Sequence, residues 1–133
     1  MSGFELHPRL AADTHFLADW RLCRVLLMND MRYPWLILVP MREELVELSD
    51  LACLDRVQAM EEIVSAGAVV TKMLARAKLN VGSLGNLVAQ LHIHVVGRRP
   101  GDPAWPGPVW GHSPAVPYDK AGLDQWFDIV RRC

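Results

Sequence analysis

The sequence predicts one domain that combines a small β-sheet with a long helix and a shorter C-terminal helix. Three observations support this prediction. Two β-rich runs lie close together early in the chain, a proline-free segment with helical periodicity follows at 50–78, and a later run alternates strictly between polar and apolar residues. A chain of 133 residues suits a single domain, which we place at residues 1–133.

Composition excludes several classes of protein. Apolar residues make up 51% of the chain and charged residues 22%, which is typical of a globular domain with a sizeable core. The net charge of −1 gives no bulk attraction to nucleic acid or to anionic membranes, so we expect neither as a partner. No apolar run is long enough to span a bilayer, and no signal peptide is evident. The scattered Cys23, Cys53 and Cys133 indicate reduced thiols and a cytoplasmic location.

The first predicted elements are a short helix within 10–18 and a β-hairpin. The hairpin strands are 22–28 and 35–39, with a turn between them and a stop at Pro40. Five consecutive apolar residues in the second strand indicate that it is buried on both faces.

A long amphipathic helix is predicted next, capped by Ser49 or Asp50 and ending near residue 78. Glu61 and Glu62 are predicted to lie on solvated surface, because charged side chains are rarely buried. The spacing of three to four residues defines an apolar stripe, made of Leu51, Leu54, Val57, Glu61, Val64, Ala68 and Thr71 and widened by Met60, Ile63, Val70 and Leu74.

The last third of the chain predicts two further strands and the closing helix. The strands are 79–81 and 88–97, and the loop 82–86 between them contains two glycines. Prolines scattered through 100–111 exclude a central strand or a helix there. A short helical pattern at 119–132 ends the chain.

The strand at 88–97 carries the main functional signal. Its alternation places Gln90, His92 and His94 on one face, with apolar residues on the other. A lone histidine on a strand is usually a half-buried residue whose hydrogen bonds are made within the protein. Two histidines beside a carboxamide indicate instead that this face meets a polar ligand.

Two kinds of chemistry fit this row. Two imidazoles on one strand can hold a metal ion, but no spacing ties His7, His15 or His112 to the strand as a third ligand. Alternatively, a neutral imidazole attacks phosphorus when an acceptor holds its second nitrogen and fixes the tautomer. The Gly- and Asn-containing loop at 80–86 favours phosphate chemistry, because glycines let backbone N–H groups turn toward an anion.

These residues resemble a known signature. Asn80-x-Gly82, Gly85-Asn86 and Gln90-x-His92-x-His94-Val95-Val96 together are similar to the pattern of the histidine triad (HIT) superfamily, in which three histidines alternate with apolar residues. The order of hairpin and long helix is also similar, so the resemblance covers about residues 20–100. It implies an α+β, HIT-like fold with an antiparallel sheet of about five strands, paired into a homodimer.

The resemblance also implies an activity. It indicates a nucleotide hydrolase or transferase that acts on the α-phosphate of a purine nucleoside phosphoryl compound. Such compounds are a phosphoramidate, a dinucleoside polyphosphate or an adenylylated adduct. No cofactor is required, although a divalent cation such as Mg²⁺ can accompany a polyphosphate.

The resemblance assigns roles to individual residues. The middle histidine of the pattern is the nucleophile, so His92 is predicted to form a nucleotidyl-histidine intermediate, with His94 beside the phosphate. A carboxylate that binds both ribose hydroxyls is physically sensible. The other assigned residues are Asn80, Gly85 and Asn86 at the phosphate, Asp30 at the ribose, and Leu27 and Met28 beside the base.

Gln90 departs from the pattern because it stands where the first histidine is expected. Glutamine keeps a donor and an acceptor but does not titrate near neutral pH. Two further hypotheses therefore stay open beside the enzyme, namely a non-catalytic nucleotide-binding module and a metal-dependent hydrolase with His92 and His94 as ligands. Trp105 and Trp110 either close a nucleotide pocket, lie at a dimer interface or cover the core.

Overall fold

The fold is an α+β arrangement of one five-stranded antiparallel sheet with three helices, as predicted. The structure is a computed structural model and describes residues 3–132. The sheet order is β1-β2-β3-β5-β4. The strands are β1 (Thr14–Asp19), β2 (Cys23–Met28), β3 (Trp35–Pro40), β4 (Lys78–Gly82) and β5 (Ile93–Arg98), and the helices are α1 (Pro8–Asp13), α2 (Cys53–Met73) and α3 (Lys120–Arg131).

The predicted hairpin is present as β2 and β3, which pair antiparallel. The short helix predicted within 10–18 corresponds to α1, which ends at Asp13, and the chain then continues as the edge strand β1, which was not predicted. Pairing with β2 extends this segment, and the hydroxyl of Thr14 donates a hydrogen bond to the carbonyl of Leu10 where the helix stops. Local composition did not reveal the strand, since its stability comes from β2.

Helix α2 begins later than predicted and without a side-chain cap. Its N-cap is Ala52, which has no side chain able to accept a hydrogen bond. Ser49 and Asp50 lie instead in a short 3₁₀ turn at Leu48–Asp50. The carboxylate of Asp50 closes that turn by accepting hydrogen bonds from the backbone N–H groups of Val46 and Glu47.

The face of α2 that packs on the sheet overlaps the predicted stripe only in part, at Ile63 and Val70. Leu54, Val57, Met60 and Val64 of the predicted stripe are exposed, and Leu54 is 82% exposed. Small residues form the face of α2 that packs on the sheet, because the two elements approach closely. A Cβ added at Gly67 would lie 2.7 Å from a methyl carbon of Leu79. The buried residues of the helix are Ala59, Glu62, Ala66, Gly67, Val69 and Val70.

Glu62 is buried, which corrects the prediction of a solvated residue, whereas Glu61 is exposed as expected. The Glu62 carboxylate accepts hydrogen bonds from the backbone N–H groups of Leu22 at 2.9 Å and Cys23 at 2.8 Å. Gln58 donates a third bond at 2.6 Å. Burial, and then the neighbouring Glu62 charge, raise the pKa of the Cys23 thiol. Glu62 therefore ties the start of β2 to α2.

The sheet separates two apolar layers. Leu27, Leu36 and Val95 face α2 and α3, while Ile37 and Val96 face the other way. That second face is covered by α1 and by the proline- and tryptophan-rich segment at 100–111. Within residues 3–132, no helix is both long enough and apolar enough to cross a membrane.

Strand β5 is shorter than predicted. It begins at Ile93, which pairs with Leu38, so Gln90 and His92 precede the strand. Before it, the backbone N–H of Leu91 donates to the carbonyl of Leu45 rather than to a neighbouring strand. The strict alternation read from the sequence therefore holds from His92 onward but not at Gln90.

Candidate active site

A cavity of about 500 Å³ opens on the sheet face opposite α2. It is lined by His92 and His94 together with Gly85 and Asn86 of the loop before β5. Apolar residues of α1 and of the two hairpin strands, Leu10, Met28 and Ile37, also line it, beside the charged Arg9 and Asp13 of α1. Most of the lining is apolar, with few polar groups, which is typical of a small-molecule site.

His92 is held by a backbone carbonyl. Its Nδ1 lies 2.7 Å from the carbonyl oxygen of Gln90. A carbonyl only accepts hydrogen bonds, so Nδ1 carries a proton, and in the neutral ring Nε2 keeps its lone pair. This is the tautomer that a nucleophilic imidazole needs.

His94 is held in the opposite way. The indole N–H of Trp35 donates to Nδ1 of His94 at 3.0 Å, and both side chains are buried. An indole only donates, so Nδ1 accepts and the proton of neutral His94 is on Nε2. Burial, and then the neighbouring His92, lower the pKa of His94 to about 3, so this ring is neutral near pH 7.

Aromatic rings fix the positions of the two imidazoles. The ring centroids of His92 and His94 are 5.0 Å apart, and Trp110 packs edge-on against His94 at 5.4 Å. Gly82 pairs with His94 across the sheet and makes room for Trp110, since a Cβ there would lie 3.3 Å from the indole. Trp110 thus lines the cavity, whereas Trp105 packs over the Arg98 guanidinium.

The loop beside the histidines has the conformation that its glycine predicts. Gly85 has a φ of +73°, which favours glycine over any residue with a Cβ. Gly85 and Asn86 line the same cavity as His92 and His94. Four of the predicted site residues therefore share one cavity.

Asn80 does not belong to that cavity, which corrects its predicted role. It lies on β4 opposite Val96, and its carboxamide oxygen accepts a hydrogen bond from Arg98 at 3.0 Å. Arg98 in turn makes a buried bidentate ion pair with Asp102, at 2.8 and 2.9 Å. Asn80 completes the hydrogen bonding of a buried guanidinium, a demand that motif spacing does not reveal.

Asp30 is also away from the cavity and already satisfied. Only 2% of it is exposed, and its two oxygens accept a bidentate pair from Arg32 at 2.9 and 2.8 Å. Burial by itself raises the pKa of Asp30, but hydrogen bonds from Arg32 and from the backbone of Val116 outweigh it and hold the pKa below its ordinary value. The predicted ribose carboxylate is therefore a structural ion pair.

Leu27 and Met28 are separated by the pleat of β2. Leu27 is fully buried on the α2 side of the sheet, so its predicted place beside a base was wrong. Met28 lines the cavity. Adjacent strand residues point to opposite faces, so only one of the pair can do so.

The Gln90 side chain points away from the histidines. Its Oε1 accepts from the backbone N–H of His7 at 2.8 Å, and its Nε2 donates to the carbonyl of Glu5 at 2.8 Å. The carboxamide therefore secures the N-terminal segment that leads into α1. Gln90 reaches the site only through its backbone carbonyl on His92.

Sequence reasoning missed several cavity residues. Trp35 had one available signal, because a buried indole N–H usually finds an acceptor. Leu10 and Asp13 of α1 come from a segment with no motif, and only the pairing of β1 with β2 brings them to the cavity. Among residues 3–132, no group of three or more His, Cys, Asp or Glu side chains is placed to hold a metal ion.

The sheet topology and the histidine-lined cavity define a class of small α+β proteins that present paired imidazoles to a ligand. The HIT domain family matches residues 9–101, more than half of the chain, and the chain therefore belongs to the HIT domain family. Members of this family are in general nucleotide-binding hydrolases or transferases. A comparison with curated proteins gives no match.

Solved structures of bacterial HIT proteins resemble the chain over nearly its whole length. A histidine triad protein from Bradyrhizobium japonicum is 41% identical with a TM-score of 0.93, over 97% of this chain and 96% of that one. One from Sinorhizobium meliloti 1021 is 41% identical with a TM-score of 0.94, over 98% and 96%. One from Marinobacter aquaeolei VT8 is 43% identical with a TM-score of 0.93, over 97% and 94%.

Proposed function

We propose that this protein is a nucleotide hydrolase or transferase that acts on the α-phosphate of a purine nucleoside phosphoryl compound through a nucleotidyl-His92 intermediate. The observation that carries the proposal is the hydrogen bond from His92 Nδ1 to the Gln90 carbonyl, which leaves the Nε2 lone pair free to attack. Membership of the HIT family supports it.

The chemistry has two displacements at phosphorus. In the first, the lone pair of His92 Nε2 forms a bond to the α-phosphorus, and the bond to the leaving group breaks with its electron pair. The imidazole becomes positively charged, and the Gln90 carbonyl stabilises that charge through Nδ1–H. In the second, water attacks the same phosphorus and releases a proton to solvent, the bond between phosphorus and Nε2 breaks with its electron pair returning to His92, and a nucleoside monophosphate leaves. When another acceptor attacks in place of water, it leaves carrying the nucleotidyl group.

The cavity residues divide between the two ends of the substrate. Gly85, Asn86 and the Nε2–H of His94 supply hydrogen bonds to phosphate oxygens, which stabilises the charge that moves onto them. Met28 and Ile37, two apolar lining residues, flank the base. The proposal requires no cofactor, although Mg²⁺ can accompany a polyphosphate substrate by binding its oxygens.

The test is mass spectrometry of enzyme quenched during turnover of an adenosine phosphoramidate or a diadenosine polyphosphate. We expect a nucleotidyl adduct on His92 that is lost in His92→Ala. His112→Ala is the matched control, because His112 is exposed and bonds to Ser113 outside the cavity. Full turnover by His92→Ala without an adduct would refute the mechanism. AMP binding without any turnover would identify a binding module, and loss of turnover of the phosphoramidate with a chelator would identify a metal-dependent hydrolase.

We also propose that the protein is a homodimer that pairs through α2. Leu54, Val57 and Val64 are exposed, at spacings of three and seven residues that place them on one side of the helix. Sedimentation analysis tests this: Val57→Asp and Val64→Asp should shift the wild-type dimer to monomer, and a wild-type monomer would refute it.

The free thiols of Cys23 and Cys53 support a cytoplasmic location.

A further inference from the structure

We propose that Trp35 holds His94 as a neutral hydrogen-bond donor, so the site supplies no proton to the leaving group and is built for leaving groups that depart as anions. This inference rests on the proposed function and narrows its substrate class. It favours phosphoric and carboxylic anhydrides of a nucleoside monophosphate over phosphoramidates of basic amines, whose nitrogen must be protonated to leave.

The first step of the argument is the pair of hydrogen bonds that fixes the two imidazoles in opposite tautomers. His92 donates through Nδ1 to the Gln90 carbonyl and keeps a lone pair on Nε2. His94 accepts at Nδ1 from the Trp35 indole and keeps a proton on Nε2. One ring is thereby prepared to attack phosphorus, and the other to donate a hydrogen bond to a phosphate oxygen.

The second step concerns what His94 cannot do. Protonation at Nδ1 would turn that nitrogen from an acceptor into a donor facing the Trp35 N–H, so the indole opposes formation of the imidazolium. His94 is also buried and beside His92, which adds to the cost of a charge there. A neutral imidazole N–H is a hydrogen-bond donor but a very weak acid, so His94 stabilises the phosphate without transferring a proton.

The third step is the search for another acid around the cavity. The remaining ionisable side chains that line it are Arg9 and Asp13, both on α1. A guanidinium does not lose its proton in proteins. Asp13 is exposed and lies 3.7 Å from Arg9, as a carboxylate paired with a cation. Among residues 3–132, the lining therefore offers no proton donor for a basic leaving group at neutral pH.

Nuclear magnetic resonance of the protein without substrate tests the first part of the proposal, that His94 is neutral and protonated on Nε2. In the wild type, ¹⁵N shifts should show His94 protonated on Nε2 only and unchanged over about pH 5 to 8, the range where an ordinary histidine titrates. In Trp35→Phe, which keeps an aromatic ring and loses the N–H, the tautomer should no longer be fixed, and the ¹⁵N shifts should show a population of His94 protonated on Nδ1. Trp110→Phe is the matched control for the shifts, because Trp110 packs on His94 without bonding to it. A wild-type His94 that titrates there, or carries its proton on Nδ1, would overturn the inference.

A series of adenosine 5′-phosphate aryl esters tests the second part of the proposal, that the site supplies no proton to the leaving group. From the nitrophenyl to the phenyl ester, kcat/KM should fall by about a hundredfold or more, because no acid assists the poorer leaving group. A flat wild-type series would overturn the inference and leave the nucleophile intact. Absence of turnover with every ester and nucleotide would overturn the proposed function instead, while the resonance data still decide the role of Trp35.

Discussion

Gln90→Ala separates two roles that the position could have. The substitution removes the carboxamide that bonds to Glu5 and His7 but keeps the backbone carbonyl that orients His92. We therefore expect kcat to stay near the wild-type value while KM rises. The reason is that the N-terminal segment leads into α1, which forms one wall of the cavity.

The size of the effect follows from the two lost hydrogen bonds. Each contributes about 0.5–1.5 kcal/mol net, so together they anchor the segment by about 1–3 kcal/mol. We expect the lower half of this range because one of the two bonds is exposed. A loss of about 1 kcal/mol in holding the binding-competent state is about a fivefold rise in KM.

Two assays measure the prediction together. Steady-state kinetics with a diadenosine polyphosphate gives kcat and KM, and hydrogen exchange at the His7 amide reports directly on the segment. Gln90→Glu is a comparison variant that keeps the acceptor for His7 but replaces the donor to Glu5 with a carboxylate oxygen that repels the Glu5 carbonyl, so its KM should also rise. Gln90→His should not raise kcat. A hundredfold fall in kcat for Gln90→Ala, with KM and exchange unchanged, would show that the side chain acts at the phosphate and would refute this reasoning.

Three further substitutions test the packing and the buried charges. Gly97→Ala places a Cβ 2.6 Å from a methyl carbon of Val70, so the free energy of unfolding should fall by about 1–3 kcal/mol in thermal melts. An unchanged melting midpoint would contradict the close approach of α2 to the sheet. Glu62→Ala leaves two buried backbone N–H groups unpaired at the start of β2, so the free energy of unfolding measured in urea should fall by about 2–5 kcal/mol. Glu61→Ala, at an exposed position, is the control and should change it little. Asp30 has a lowered pKa, so its contribution is fully present above the ordinary carboxyl pKa of about 4 and is lost as pH falls through the folded value. Asp30→Asn should therefore be less stable at pH 7 and lose less stability on acidification; equal acid dependence would contradict the role of the Arg32 pair.

The sequence predicts most of the fold because its strongest signals are local. The hairpin β2–β3 and the helix α2 each follow from a contiguous pattern of apolar residues. The edge strand β1 does not, because it is partly exposed and depends on pairing with its neighbour β2. The buried face of α2 was misassigned because the helix is apolar on two sides and the smaller residues, such as Ala66 and Gly67, are the ones that fit against the sheet.

The site divides in the same way. His92 and His94 are close in sequence and lie in one cavity with Gly85 and Asn86. Asp30 and Asn80 instead satisfy arginine side chains, and no motif shows which polar partner a residue finds in three dimensions. Trp35 acts through a hydrogen bond that spans 59 positions, a contact visible only after β3 and β5 are paired.

Strand β5 serves the core and the cavity at once. Ile93 and Val95 pack toward α2, while His94 between them faces the cavity. A single inserted or deleted residue within the strand would exchange the two sets and drive an imidazole into the apolar layer. We therefore expect that β5 does not tolerate insertions or deletions. Substitutions on its cavity side, in contrast, can change the chemistry of the site and leave the core unchanged.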